Sequence, residues 1–206
     1  VTFNNARDLD VQSGTLALSG FSQTGAGSVL AGAVNVFQGS GVSTDDLAVA
    51  NGASFTFTGG NHTLSATADF GGGGTIGLSE GTLNVAGTLT PSAFNIAGGT
   101  LNLAGTLTVD TMTWSGGATV NGLGTGRMDI PVGKTLNVTG AGSHTLDNIR
   151  VENAGTINYN TSTSVYDRLR MQNGAVINNA GVFDFKVNNY VDASGGTATF
   201  NNAGTV

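Results

Sequence analysis

The chain has 206 residues, with 34 glycines, two prolines, no cysteine, only 10% charged side chains, and seven basic against thirteen acidic groups for a net charge of −6. No Cys means no disulfide framework, no thiolate catalysis and no Cys-ligated metal, and the acidic balance removes the basic surface that nucleic acid, anionic membranes or heparin-like polymers require. No apolar run approaches the roughly 20 residues of a membrane helix, so this segment is not expected to insert into a membrane.

High glycine with low charge suits a disordered tract, but 39% of the residues are apolar and they recur at regular intervals. That regularity points to an ordered array. The start, Val1-Thr2-Phe3-Asn4, has neither a basic region nor an apolar signal core. Leu16, Val34 and Phe55 then mark weak versions of an inward position that becomes explicit downstream. Gly71–Gly74 lacks both the Lys-Ser/Thr of a phosphate loop and the Asp of a calcium nonapeptide. Asp45-Asp46 reads as a solvated loop.

The clearest signal lies at 81–116. GTLNVAGTLTPSAFNIAG (81–98) and GTLNLAGTLTVDTMTWSG (99–116) align at an offset of 18 with ten identities, and Val85/Leu103, Phe94/Met112 and Ile96/Trp114 keep apolar facing apolar. Within each unit the pattern has period 2, as in Leu83-Asn84-Val85, and Gly-rich corners separate the runs, so the units are strands with one buried face. No helical period appears. The expected fold is all-β: one right-handed parallel β-solenoid over 1–206, of about ten coils of 16–23 residues, with Leu83 over Leu101, Phe94 over Met112 and Ile96 over Trp114.

An apolar residue followed by Asn recurs at Asn84, Asn102, Asn121, Asn137, Asn158, Asn178 and Asn201, in steps of 18, 19, 16, 21, 20 and 23. Read as one position per coil, these amides form a single hydrogen-bonded ladder along the stack. Further on, Asp147 and Asp167 have the same spacing as Arg150 and Arg170, with Arg168 beside them. Taken as one coil, that spacing brings these five onto adjacent turns, as a surface ion-pair ladder or as the acid/base and basic groups of a polysaccharide-acting β-helix. His62 and His144 share the phrase HTL at a separation close to four coils, which gives them equivalent positions and not one metal site. Tyr166 and Tyr190 are the better candidates among the aromatic residues for surface contacts. No catalytic, cofactor or metal residue is assigned.

The phrases DVQSGTLALSG (10–20), GTLNVAGTLT (81–90), GKTLNVTGAGSHTLDN (133–148), ENAGTINY (152–159) and GGTATFNNAGTV (195–206) resemble the giant repetitive surface proteins of bacteria with filamentous-haemagglutinin-like and autotransporter-passenger-like β-helices. The resemblance covers nearly the whole chain, 21–50 and 160–170 less well. It implies a secreted or cell-surface bacterial protein acting as stalk, fibre or adhesin shaft, not as an enzyme. Expected partners are adjacent coils or copies end to end, with surface glycans or host or neighbour-cell proteins as further candidates. Phe3-Asn4-Asn5-Ala6 returns as Phe200-Asn201-Asn202-Ala203, a hint of a repeat of about 200 residues, and neither end shows a cap in sequence.

Overall fold

The computed structural model describes residues 1–162, 164, 166–186, 188 and 190–206. Twenty-three strands and no helix occur among them. Every strand pair is parallel, and strands within the stack bond to their counterparts one turn earlier and one turn later. The chain is therefore a β-solenoid, of about nine turns where ten were expected. At about 4.8 Å per turn the stack is on the order of 40 Å long.

Each turn presents three strand segments, separate in the later coils and merged through the corners into longer strands such as Asp69–Val85 in the earlier ones, so the stack has three faces. On face A the inward column runs Leu16, Val34, Phe55, Ile76, Phe94, Met112, Leu136, Ile157 and Phe183. Face B carries His62, Leu83, Leu101, Val120, Leu146, Met171 and Ala193. Face C carries Leu47, Phe70, Leu89, Leu107, Met128, Val151, Ile177 and Phe200. Alternation decides which side chains enter: in Thr100–Leu103, Leu101 and Leu103 are buried while Thr100 and Asn102 stay half-buried outside. Together the columns make one continuous apolar core that also takes in Trp114 and Tyr159.

The three contacts expected from the aligned repeat are present, Leu83 on Leu101, Phe94 on Met112 and Ile96 on Trp114. The coil length is not constant, however. The stacked pair Asn84 and Asn102 stands 18 apart in sequence, the stacked pair Asn153 and Asn179 stands 26 apart. The expected range of 16–23 is therefore corrected to 18–26. Short coils turn tightly. At the corner between faces A and B, Gly60, Gly81 and Gly99 stack with φ of 76°, 78° and 77°, and a Cβ on Gly99 would lie 2.5 Å from the Gly81 carbonyl oxygen. Only glycine fits there.

The variable length overturns several expectations of equivalence. Leu16, Val34 and Phe55 belong to face A with Phe94, not to the Leu83 column. Phe3 pairs with Phe21 on face B, whereas Phe200 pairs with Ile177 on face C, so the two FNNA phrases do not occupy the same place in the coil. His62 stands in the Leu83 column, whereas His144 pairs with Leu169 and so precedes Leu146, the member of that column on its own strand.

Candidate functional site

The seven asparagines do not form one ladder. Asn84, Asn102 and Asn121 stand on face B, Asn137 and Asn158 on face A, and Asn178 and Asn201 on face C. The steps from Asn121 to Asn137 and from Asn158 to Asn178 each stop one face short of a full turn. Within each face the amides do bond along the axis. Asn102 Nδ2 donates to Asn84 Oδ1 at 2.8 Å, Asn158 to Asn137 at 2.9 Å and Asn201 to Asn178 at 2.8 Å. Asn84 continues to Asn61 Oδ1 at 2.7 Å. Asn121 instead accepts from its own turn, at Leu123 N.

A second amide ladder escaped the sequence reading. Asn153, Asn179 and Asn202 stack inside the corner that follows face C: Asn153 Nδ2 donates to Asn179 Oδ1 at 2.6 Å, and Asn179 Nδ2 to Asn202 Oδ1 at 2.7 Å. The same amides also reach the carbonyls of Val182 and Thr205, tying each corner to the next coil. Both Asn153 and Asn179 are buried. The recurring phrase Asn-Ala-Gly at 153–155, 179–181 and 202–204 is the signal that marks it.

Of the five charged residues grouped by equal spacing, Arg150 and Asp167 leave the group, whereas Asp147, Arg168 and Arg170 stay on adjacent coils of face B. The coil is longer at that point, so Asp147 pairs with Gln172, and Arg150 lies on face C between Arg127 and Val176. Asp167 lies under the corner between faces A and B, 5% exposed. Its carboxylate accepts from the Ser162 hydroxyl and, at 2.5 Å, from Gly142 N. Those two donors hold its pKa below the ordinary carboxylate value. Asp147 is likewise engaged, accepting from Gln172 Nε2 at 3.0 Å and Asn173 Nδ2 at 2.8 Å.

Arg168 and Arg170 remain on one face, in an ordered polar surface. On face B of the last turns, outward residues fall on a grid fixed by the register: Thr145, Arg170 and Asp192 in one column, and Asp147, Gln172 and Ser194 in the next. One position back, Arg168 O accepts from His144 N and Tyr190 O from Leu169 N, which sets Arg168 and Tyr190 at the grid's margin. Arg168 Nη1 pairs with Asp192 Oδ2 at 2.9 Å. The corner leading to this grid is long. Face A gives way to face B between Trp114 and Thr119 in one coil but between Thr161 and Leu169 two coils later. Tyr166 on that corner is 73% exposed and Tyr190 58%.

Beneath the corner the core turns partly polar. His144 is fully buried, its Nε2 lies 3.1 Å from Thr139 O, and its ring packs edge-on against Trp114 at 5.2 Å. His62 is similarly held, with Nε2 3.1 Å from Gly59 O and its ring tilted against Phe57 at 4.9 Å. Burial lowers the pKa of both imidazoles. It also raises Tyr159, to about 12.

Face C holds the other charges. Arg127 and Arg150 stack in one outward column, Asp129 and Glu152 in the next. Each acid pairs with the arginine of its own strand, at 2.5 Å for Arg127–Asp129 and 3.7 Å for Arg150–Glu152. A shallow groove of about 550 Å³ runs beside this column from Glu152 to Ala203. Family models, curated proteins and solved structures were all compared with this chain, and none matches it.

Proposed function

We propose that this chain is a structural and adhesive β-solenoid, the stalk, fibre or shaft segment of an extracellular bacterial surface or matrix protein. The observation that carries the reading is the unbroken face A column from Leu16 to Phe183. A stack in which each coil gains strand hydrogen bonds and apolar contact from its neighbours becomes a rigid spacer whose reach grows with coil number. Uncharged Thr and Asn ladders outside suit a surface that lies in water without a strong field. The rod's partners are further coils or copies added end-on, because the free backbone edges point along its axis.

Tandem copies joined through their native residues test this by electron microscopy. Each added copy should lengthen a straight rod by on the order of 40 Å; beads on a flexible string would overturn the shaft reading. The competing reading, a polysaccharide-acting β-helix, has its best residues in Asp129 and Glu152, adjacent on face C. Lyase or hydrolase activity lost in Asp129→Asn or Glu152→Gln would establish it in place of the shaft.

A further inference from the structure

We propose that the face B grid binds a carboxylated sugar, with Arg170 pairing the carboxylate and Tyr190 and Tyr166 covering apolar faces of the ring. The role goes beyond that of a shaft, since a rod of this kind does not require it. Four observations converge on the place.

Arg170 is one of two cations without a carboxylate partner among the described residues; the other, Arg7, lies at the opposite end of the stack. Arg127, Lys134, Arg150, Arg168 and Lys186 each pair with a carboxylate, whereas Arg170 makes no ion pair among the described residues and its Nε lies buried without a hydrogen-bond partner. Its register neighbour Asp192 is turned to Arg168 instead. A planar guanidinium with unmet donors takes a carboxylate in two parallel hydrogen bonds.

The two exposed tyrosines lie at the start of the same face: Tyr190 O accepts from Leu169 N, and Tyr166 stands on the corner that leads to Leu169. Phe55, Phe57, Phe70, Phe94, Trp114 and Tyr159 are all fully buried, whereas Tyr166 and Tyr190, at 73% and 58%, are the most exposed rings among the described residues, ahead of Phe3 and Phe37 at 40% and 41%. A tyrosine offers a sugar an apolar face and a hydroxyl together. In stacked-repeat proteins, insertions gather as loops on one face, often the binding face, and the lengthened corner between Thr161 and Leu169 is such an insertion.

Charge limits the ligand. Residues 1–126 hold one basic and seven acidic side chains, whereas residues 127–206 hold six of each. An anion meets least repulsion in the second part, yet the overall −6 opposes a polyanion. The fit is therefore a singly charged sugar, a uronic or a sialic acid at the end of a glycan.

Saturation-transfer NMR on the whole chain tests this with two probe pairs: methyl glucuronide against methyl glucoside, and sialyllactose against lactose. At least one acidic member should bind with Kd about 1 mM and its neutral counterpart about tenfold more weakly; which pair responds separates uronate from sialate. Arg170→Gln should abolish the preference and Arg170→Lys retain part of it, each with the melting temperature of the parent. Tyr190→Ala should weaken acidic and neutral members alike. No transfer from either acid, equal binding of acid and neutral sugar, or a preference that survives Arg170→Gln would overturn the proposal.

Discussion

Asn102 and Asn179 make the same bond in different surroundings. Asn102 lies half-exposed on a sheet face, where water can replace its 2.8 Å bond to Asn84. Asn179 is 2% exposed and links three groups, accepting from Asn153 and donating to Asn202 and to Thr205 O. Truncating a buried amide leaves its partners unsatisfied, at about 1–3 kcal/mol, whereas a solvent-facing bond contributes about 0.5–1.5 kcal/mol. Asn179→Ala should therefore lower the urea midpoint more than Asn102→Ala, and a larger effect at Asn102 would reverse the assignment of the structural ladder. The sequence displayed the outer amides plainly, since "apolar, then Asn" is how an outward strand position reads. The inner ladder was hidden because its asparagines follow another polar residue or sit in a turn phrase, where burial leaves no periodic trace.

Strands were legible and corners were not. The period-2 alternation of Leu83-Asn84-Val85 and Leu101-Asn102-Leu103 specified both the strand and its register, because one face is buried and a slip of one residue would invert it. The corners obey a weaker code. A short turn and a long one are both rich in Gly, Ser and Thr, so the step from Asn121 to Asn137 looked like one coil while it moved from face B to face A. The same ambiguity grouped Asp147 with Asp167 and Arg150 with Arg170, although the register sets Asp147 beside Gln172 and Arg150 beside Val176. Where a corner is tight, glycine is obligatory for two separable reasons. Gly99 and Gly133 both have positive φ, 77° and 76°, but only Gly99 has backbone within reach of an added Cβ; nothing lies within 4 Å of the one on Gly133. Gly133→Ala should cost about 1 kcal/mol for the left-handed backbone alone. Gly99→Ala adds the clash with Gly81 O and should cost about 2–3 kcal/mol. Equal losses in matched denaturant titrations would show that stacking of the corners does not constrain the coil.

Across the whole stack, stability is a sum over coils and their interfaces, so a buried group that titrates weakens the rod at a defined place. His62 and His144 occupy inward positions whose next-coil neighbours are leucines, Leu83 and Leu169. Burial depresses both imidazoles below their ordinary 6.5, and for His144 this outweighs the favourable charge of Asp167. In the unfolded chain both take up protons near pH 6.5, whereas in the native stack they stay neutral to lower pH. Stability is thus complete above that range and falls as the pH drops through it, by up to about 1.4 kcal/mol per pH unit for each histidine. Asp167 acts separately and later. Its lowered pKa contributes stability that is present above the ordinary carboxylate value and lost only as the pH falls through its depressed one. The melting temperature should therefore decline between pH 7 and pH 5, before Asp167 titrates. Replacing both histidines with the residue one coil away, His62→Leu and His144→Leu, should flatten that limb and leave the drop below pH 4 in place. A wild-type melting temperature that holds constant from pH 7 to pH 5 would mean that the stack admits water or charge to its core, and the dry column of side chains along the axis would have to be abandoned.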